Sequence, residues 1–498
     1  MEKIELLQLI NFGERIAEDE VETLDNYFVR TEDWRLLFDN NIDIVYGTKG
    51  AGKSALYTIL DSKKQELFDK SILLTTAENP RGNTVFENLN IDPPTTEIEF
   101  IRLWKLYFLV ITVSEFADWD IDSKKFIEIK KILTEAKLIP VQKGLRAILK
   151  ACRDYIKQVM NLESIEPKMG VDGASGMPTS FSLKVAFREP DNNELDEGMR
   201  SIDYLYQTLQ EALEEEKFSL WIAVDRLDIA FSENLELETN ALRALFKVYR
   251  DLTPYSNLRI KIFLRVDIWR RITEQGFREA SHITKTTTIG WKKETIVNLI
   301  MRRLLNNSII TSEFNINKDA ILNDYRKQEE IFYKFFPEQI EIGDKKPKTI
   351  DWILSRVKDG AGVVAPREII HLLNEGKSEQ IRRIQIGQND LENDNLIGRS
   401  AFKIALDKVS KVRLEQTIYA EYPSLKKYIQ KLSGEKTEQK IETLSSIWGI
   451  SKEETRSIAQ KLINIGFFEE RGDKDDPRFW VPFMYRNELE MVQGVADV

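Results

Sequence analysis

The residues with the clearest chemistry form one run, GTKGAGKS, which matches the spacing G-x-x-x-x-G-K-[ST]. Glycines in such a run let backbone N–H groups face a polyphosphate, because they carry no Cβ that would stand in the way. The lysine would meet the β- and γ-phosphates, and the serine hydroxyl would bind Mg²⁺. The run therefore predicts a site for ATP and Mg²⁺. Its residues are Gly47, Thr48, Lys49, Gly50, Ala51, Gly52, Lys53 and Ser54.

The segments on either side of this run are those that a phosphate-binding loop requires. Ile42–Tyr46 is an apolar, strand-like run, and Ala55–Leu60 begins a helical pattern. A helix that starts directly after the loop adds the positive end of its dipole to the phosphate site. This context favours a nucleotide site over a glycine-rich turn that matches the motif by chance.

A second, acidic element is needed to hold the metal, and Leu220–Asp225 is an apolar run that ends in a carboxylate. We expect a buried parallel strand whose Asp225 contacts Mg²⁺ through water; the alternative is an aspartate that merely caps a strand. Many P-loop ATPases have an acid at the next position, where this chain has Arg226. Asp228 is then the candidate that orients the attacking water, or else a structural aspartate, with hydrolysis slow or dependent on a partner.

Two arginines are candidates for sensing the γ-phosphate. Arg259–Arg265 reads as a core strand, so Arg265 would lie at its carboxyl end and act as a sensor, or pair with Asp267 at the sheet rim. Pro366 suits a first helical position, which places Arg367 in the first turn of a helix. There Arg367 would reach a phosphate across a domain boundary, or alternatively face solvent or pair with a glutamate.

The composition is that of a large globular protein: 498 residues, of which 42% are hydrophobic and 31% charged, with a net charge of −10. One cysteine and two histidines exclude an internal disulfide, a Cys-based zinc site and a His-rich metal centre. No apolar run is long enough to span a bilayer. We therefore expect a cytoplasmic protein with no membrane partner.

The pattern of apolar runs divides the chain into four predicted sections. Residues 1–40 form an N-terminal helical lead-in, with a helix over Glu14–Phe28. Residues 41–300 form an α/β P-loop NTPase core, a parallel sheet flanked by helices, in which residues 87–200 are a helical and hairpin insertion. Within this insertion, the Gly/Ser/Pro cluster Gly170–Pro178 is followed by an alternating run, Thr179–Phe187, that predicts a hairpin strand. Residues 301–395 form a helical lid that ends in a charged connector at about residues 380–394, and residues 396–498 form a helical connector and a winged-helix-like domain.

The winged-helix prediction rests on two helices followed by a hairpin whose tip is Gly472–Pro477. Non-specific DNA affinity comes largely from neutralising phosphates, so a DNA-binding surface needs basic side chains. Residues 436–491 carry nine basic and eleven acidic side chains. This excess of acidic side chains favours a domain that packs against, or docks on, protein. Lys452, Arg456 and Lys461 on the second helix leave DNA binding open as the alternative.

Taken in order, the motifs resemble a poorly characterised family of bacterial P-loop ATPases, of the additional-strand type and similar in layout to STAND switches and origin-recognition AAA+ proteins. The resemblance covers nearly the whole chain. It implies an ATP-driven, oligomeric switch that controls an effector protein such as a nuclease, often in anti-phage defence. The residues that carry it are Phe12–Glu14, Ala17–Glu20, Tyr27–Val29, Thr31, Gly47–Ser54, Val224–Asp228, Phe263–Arg265, Asp267, Pro366, Arg367 and Val481–Arg486.

Three functions are compatible with these interpretations. The first is a Mg²⁺-dependent ATPase that acts as a switch or assembly platform for an effector, with Arg367 or an arginine from a neighbouring copy completing the site. The second is a DNA-binding regulator or loader in which ATP toggles the winged helix. The third, a small-molecule kinase, is disfavoured because no compact arginine-rich lid with an acceptor pocket is apparent.

Overall fold

The computed structural model describes residues 2–79, 84–90, 94, 96–119, 121, 123–141, 144–165, 183–227, 234–274, 276–473 and 476–496. The chain divides into two compact units, which are described separately below. The sheet unit contains Glu32–Tyr46 and Lys53–Thr288. The helical unit contains Met1–Thr31, Gly47–Gly52 and Ile289–Val498.

The sheet unit is organised around five strands in the order β2-β5-β6-β1-β7, in which the pairs β2/β5, β5/β6 and β1/β7 are parallel. Strand β5 is apolar from Leu220 to Val224 because both of its faces are covered, and these side chains are almost completely buried. Strand β6 lies between β1 and β5. This parallel sheet, flanked by helices, is that of an α/β P-loop NTPase core. The strands of the unit are β1 (Ile44–Gly47), β2 (Ile72–Thr76), β3 (Val185–Ala186), β4 (Arg200–Ser201), β5 (Ser219–Val224), β6 (Leu258–Arg265) and β7 (Thr286–Thr288).

Helices cover this sheet, and the longest of them, Glu97–Asp118, is buried along most of its length. Thr96 caps its first turn, since the Thr96 hydroxyl accepts a hydrogen bond from the Glu99 amide. None of the described helices has both the length and the apolarity needed to cross a membrane. The α-helices are Glu32–Phe38, Lys53–Ser62, Lys64–Phe68, Glu97–Asp118, Lys124–Glu135, Leu145–Ile165, Asn192–Asp196, Ile202–Glu215, Leu235–Leu252 and Val266–Glu274, and Val85–Asn90 and Arg278–His282 are 3₁₀-helices.

The helical unit has its own apolar core, separate from that of the sheet unit. One helix of this unit changes character along its length: Arg399–Arg413 is α-helical and continues through a wider π-helical segment, Leu414–Tyr419, as far as Glu421. The α-helices are Lys3–Leu9, Lys293–Leu305, Ser308–Glu313, Lys318–Leu322, Tyr325–Phe335, Thr349–Val357, Pro366–Gln385, Arg399–Arg413, Pro423–Gln430, Ile441–Trp448, Lys452–Asn464 and Phe483–Arg486.

The C-terminal block of the helical unit contains a four-stranded sheet in the order β11-β8-β10-β9. Strands β9 and β10 form an antiparallel hairpin at the predicted place, but the predicted tip Gly472–Pro477 is wrong in its bounds, because Gly472 pairs with Pro477 and Asp473 with Asp476 within the strands. The two helices predicted before the hairpin are Ile441–Trp448 and Lys452–Asn464. The strands are β8 (Lys436–Lys440), β9 (Glu469–Asp473), β10 (Asp476–Trp480) and β11 (Val492–Val495).

The predicted helix over Glu14–Phe28 is wrong, because the segment forms only two short 3₁₀ turns, Ala17–Asp19 and Leu24–Asn26. The cause is a buried ion pair: both guanidinium nitrogens of Arg303 donate to the Glu20 carboxylate, at 2.8 and 2.9 Å. A charge buried to this extent is stable only with its partner in place. The segment therefore follows this contact instead of its own helical pattern.

Two other expectations differ from the structure. The segment over Thr179–Phe187 was expected to be a hairpin strand, but β3 pairs in parallel with β4, and residues 179–182 lie outside the described part of the chain. The charged connector expected at residues 380–394 begins later, because the helix Pro366–Gln385 continues to Gln385. The Gly170–Pro178 cluster also lies outside the described residues.

Candidate functional site

The motif GTKGAGKS occupies the turn between a buried strand and a helix. Gly47 ends β1, and Lys53 and Ser54 are the first two residues of the helix Lys53–Ser62. Between them the chain turns at Gly50 and Gly52, whose φ angles are +82° and +104°. These angles lie in the left-handed region that glycine adopts at little cost. The Ala51 amide donates to the Thr48 carbonyl at 3.2 Å and closes the turn.

Within the helical unit, the loop Gly47–Gly52 packs against the residues that precede and begin the helix Pro366–Gln385. A Cβ placed on Gly50 would lie 3.0 Å from Cβ of Arg367 and 3.5 Å from Cβ of Ala365. The indole of Trp291 donates to the Ala51 carbonyl at 2.8 Å. The structure thus brings together two parts of the predicted site, the loop and Arg367, that are more than 300 residues apart in sequence.

Lys49, at a variable position of the motif, forms an ion pair with Glu421. The side chains of the two residues are 30% and 18% exposed, so water screens the pair only in part. Glu421 ends the helical path that begins at Arg399, and the next helix, Pro423–Gln430, leads into the C-terminal block. The ion pair therefore connects the candidate phosphate loop to the end of the helix that precedes the C-terminal block.

A buried charged cluster lies next to Arg367. Glu368 accepts a hydrogen bond from Arg413 at 3.1 Å, and the two side chains are 3% and 7% exposed. Burial lowers the pKa of Arg367, although the neighbouring Glu368 acts in the opposite direction. Nε of Arg367 has no hydrogen-bond partner among the described residues. Arg367 is therefore held by packing while one of its N–H donors remains unmatched there.

In the sheet unit, Asp225 follows directly after β5 and is 3% exposed. Its charge also acts on Tyr57, in the helix that begins at Lys53: burial raises the pKa of this tyrosine strongly, and Asp225 raises it further. Tyr57 donates to the Glu78 carbonyl at 2.5 Å. Asp225 thus lies at the carboxyl edge of the sheet, close enough to this helix to affect its buried tyrosine.

Glu78 is a second buried acid at this edge that the sequence interpretation missed. It follows β2 by two residues, and if the β2/β5 register continued it would stand beside Asp225. The available signal was the same one that identified Asp225, namely a short apolar strand followed by a carboxylate. Glu78 is fully buried and accepts hydrogen bonds from the amides of Asn79 and Val85. Because these partners are internal, we assign it to holding the chain beyond β2.

Arg265 ends β6 and forms a two-point contact with Asp267, at 3.1 and 2.7 Å. This is the pairing that the sequence left open, and the sensor role of Arg265 stays a prediction. Asp228, the candidate for orienting water, lies outside the described residues. Arg226 has a φ of +62°, and its side chain lies 3.4 Å from the Asn79 carbonyl.

Within each unit taken by itself, the residues present are of the types that the predicted ATP–Mg²⁺ site needs. A Cβ at Gly50 would lie 3.0 Å from Cβ of Arg367, which is tighter than most real Cβ contacts, so glycine suits this turn in space as well as in conformation. Ser54 and Asp225 supply a hydroxyl and a carboxylate, the oxygen ligands that Mg²⁺ prefers. Within the described ranges, no group of three or more His, Cys, Asp or Glu side chains forms a protein-only metal site.

Comparison with known proteins identifies a distant relative. No family model matches the chain. A protein of Escherichia coli (strain K12), the putative transposon gamma-delta 80.3 kDa protein, is 23% identical over 474 residues. The match covers 93% of this chain but only 57% of the relative. The chain therefore spans little more than half the length of the relative that it matches.

Among solved structures, the similar chains include the ORC1 and ORC2 proteins of Aeropyrum pernix. ORC1, solved in complex with DNA, is 10% identical with a TM-score of 0.38, and the match covers 96% of both chains. ORC2, solved with ADPNP and ADP, is 11% identical with a TM-score of 0.40, over 93% of this chain and 91% of the other. The fold assignment above rests on the strand order and on the loop that follows β1.

Proposed function

We propose that this chain is a Mg²⁺-dependent ATPase that acts as a nucleotide-controlled switch. The observation that carries the proposal is the loop after β1, which turns at two glycines of positive φ and runs directly into a helix. Backbone amides in such a turn are positioned to bind phosphate oxygens, and the start of the helix favours their negative charge.

Each residue has a distinct role in this proposal. Lys53 holds the β- and γ-phosphates, and Ser54 and Asp225 hold the metal, directly and through water respectively. Mg²⁺, when bound, neutralises charge that develops on the phosphates. Arg367, which packs against the loop at Gly50, is the candidate that donates to the γ-phosphate. Asp228 remains the candidate for orienting the attacking water.

The switch is supported by what touches the loop inside the helical unit. Arg367 packs on Gly50, and its neighbour Glu368 is paired with Arg413. The helix that contains Arg413 ends at Glu421, which is paired with Lys49. A phosphate group bound to this loop would therefore act on two contacts that lead towards the C-terminal block. We propose that nucleotide state is transmitted along this route.

The downstream role that we propose is control of an effector protein by an oligomer of this chain, in bacterial anti-phage defence. This part rests on the family resemblance of the ordered motifs. Size measurement by light scattering, with and without ATP–Mg²⁺, tests it directly. An increase in mass with ATP that Lys53→Ala abolishes supports the switch, and an unchanged mass in both proteins contradicts oligomerisation by nucleotide.

The primary test is equilibrium binding of a fluorescent ATP analogue. Lys53→Ala should weaken binding at least about tenfold, because a charge-assisted contact to phosphate is lost. Lys70→Ala is the matched control, since Lys70 is an exposed lysine of the same unit that pairs with Glu66. Unchanged affinity in Lys53→Ala would show that the site is assigned to the wrong residues.

A second candidate function is a DNA-binding regulator or loader. The observation that favours it is the order of elements in the C-terminal block, helix, strand, two helices and hairpin, which supports a winged helix. The name of the E. coli relative, which links that protein to a transposon, is compatible with this role. Neutralising Lys452, Arg456 and Lys461 should then abolish a salt-sensitive DNA affinity.

A further inference from the structure

A cavity of about 340 Å³ opens in the helical unit, lined by residues other than those that contact the phosphate loop. This volume is in the usual range for small-molecule sites, roughly 300–1,000 Å³. Its lining includes three cationic side chains, Arg356, Lys403 and Arg486. The two acids of the lining are Glu341 and Asp407. The charges of this cavity, and what already neutralises them, decide what it can bind.

The two acids are engaged with partners of their own. Glu341 accepts hydrogen bonds from Lys346, Trp352 and Arg356, at 2.9, 3.2 and 3.1 Å. Asp407 accepts one from Asn487 at 2.6 Å. Among the described residues, neither Arg486 nor Lys403 is within ion-pair distance of a carboxylate. The cavity therefore has more positive charge than its own acids neutralise.

Arg486 is the central group of this cavity. It is 5% exposed, and its guanidinium lies over the rings of Trp480 and Phe483, at 4.4 and 4.1 Å. It donates to the Val481 carbonyl and to the Gln493 side chain, whereas Nη2 has no hydrogen-bond partner among the described residues. A buried guanidinium without a carboxylate is costly, and contacts with aromatic rings offset that cost only in part.

Nearby arginines increase the cost of burying the Arg486 guanidinium. Arg356 lies 3.8 Å from the centre of the Phe483 ring, the same ring that Arg486 covers. Burial, followed by the charges of Arg356 and Arg471, lowers the pKa of Arg486 to about 10. Like charges held this close disfavour one another, and an anion between them would reverse the sign of the interaction. The cluster therefore has the electrostatics of an anion site.

We propose that this cavity binds a small phosphomonoester, with Arg486 and Arg356 holding the phosphate and Lys403 at the exposed mouth. The lining has three cations against two acids, and a phosphate suits it better than a carboxylate because its three oxygens can accept from two guanidinium groups and an ammonium at once. Since Arg486 is almost completely buried, its ligand must enter the cavity. This favours a terminal phosphate on a small molecule over the backbone of a nucleic acid. The proposal is independent of the ATPase function.

Calorimetric titration of the full chain tests this site, with the Lys53→Ala protein as background so that the phosphate loop does not contribute. Inorganic phosphate and glycerol 3-phosphate are the two probes, and glycerol is the neutral control, all at one ionic strength. We expect both phosphates to bind and glycerol not to bind. Tighter binding of glycerol 3-phosphate would identify an ester as the ligand, and equal binding would identify phosphate itself. No binding of either phosphate overturns the proposal.

Three further variants in the same background locate the site. Arg486→Gln should weaken phosphate binding at least about tenfold, because charged hydrogen bonds are lost. Lys403→Glu should weaken it several-fold, whereas Lys411→Glu, an exposed lysine on the same helix that does not line the cavity, should leave it unchanged. If circular dichroism shows that Arg486→Gln does not fold, the comparison of the Lys403→Glu and Lys411→Glu proteins decides, because Lys403 is exposed. Equal binding by Lys403→Glu and Lys411→Glu would then place the anion elsewhere.

Discussion

The backbone of Gly50 lies directly against the side chain of Arg367, such that a Cβ on the glycine would come within 3.0 Å of Cβ and 3.4 Å of Cδ of the arginine. A contact of this length is tighter than most real Cβ contacts, so Arg367 would have to shift by a few tenths of an ångström to accept a side chain at position 50. Glycine therefore suits this position for two reasons, its positive φ and the close approach of the first turn of the helix Pro366–Gln385.

Replacing Arg367 with alanine should reduce the turnover number for ATP at least about 100-fold, because a guanidinium at the γ-phosphate stabilises charge that develops in the transition state. ATP affinity should change much less. Arg382→Ala is the control, since Arg382 lies on the same helix, is exposed and pairs with Glu379. Steady-state ATPase assays with separate binding measurements check this. Equal turnover in the two variants would remove Arg367 from the site.

Gly50→Ala should destabilise the protein more than Gly387→Ala does. Both glycines have positive φ, +82° and +75°, so both alanines carry a similar conformational cost of about 1 kcal/mol. Nothing lies within 4 Å of a Cβ at Gly387, whereas Gly50 meets Arg367. The difference in unfolding free energy from urea titrations should be about 1–3 kcal/mol, the cost of overpacking. Equal losses would mean that the loop does not pack tightly there.

Asp225→Asn should block hydrolysis while ATP binding persists, because the amide keeps the size of the side chain but loses the charge that holds Mg²⁺. Turnover should fall at least about 100-fold at saturating ATP–Mg²⁺. Asp203→Asn, in an exposed position of the same unit, is the control. Full turnover in Asp225→Asn would assign the metal to another acid, and Glu78→Gln would be the next variant to assay.

Glu421→Gln should raise the affinity for ATP about 2- to 5-fold. The ion pair between Lys49 and Glu421 competes with phosphate for the lysine, and a partly exposed pair contributes up to about 1 kcal/mol. Glu415→Gln is the control, because Glu415 is an exposed acid of the π-helical segment. Isothermal titration of the three proteins with ATP–Mg²⁺ measures the effect. A lower affinity in Glu421→Gln would show that the pair supports the loop instead of competing with phosphate.

The stability of the protein should depend on His371 between pH 7 and pH 5. Burial lowers the pKa of His371 in the fold, as does the charge of Arg15, although Glu368 and Glu375 oppose the shift. The unfolded chain then binds the proton more tightly, so stability is fully present above about pH 6.5 and falls as the pH drops below this value. His371→Gln should flatten this dependence in urea titrations, and the exposed His282→Gln should not.

The parts of the fold that local pattern determines could be predicted from the sequence. The motif Gly47–Ser54 lies between a strand and a helix as expected, and Ser219–Val224 and Leu258–Arg265 are strands of the core sheet. In these segments the apolar run, the glycines and the terminal charged residue all indicate the same structure. Arg367 lies in the first turn of its helix because Pro366 fits the position before it.

Contacts between distant residues could not be predicted in this way. Glu20 and Arg303 are 283 positions apart, and their ion pair replaces a helix that the local pattern favours. The pairing of Lys49 with Glu421 follows the same rule, since neither residue has an unusual neighbourhood in the sequence. Glu78 escaped notice because its strand is short and no motif surrounds it. Each of these depends on which surfaces the fold brings into contact.

The π-helical segment Leu414–Tyr419 also determines which way the two ends of its helix face. A wider turn accommodates one more residue than an α-turn, and each residue of an α-helix rotates the following side chains by about 100°. The extra residue therefore sets the angular phase between Arg413, which points to Glu368, and Glu421, which points to Lys49. If this stretch were a regular α-helix, either Arg413 or Glu421 would face away from its partner. One of the two ion pairs would then be lost without any change in the sequence of the paired residues.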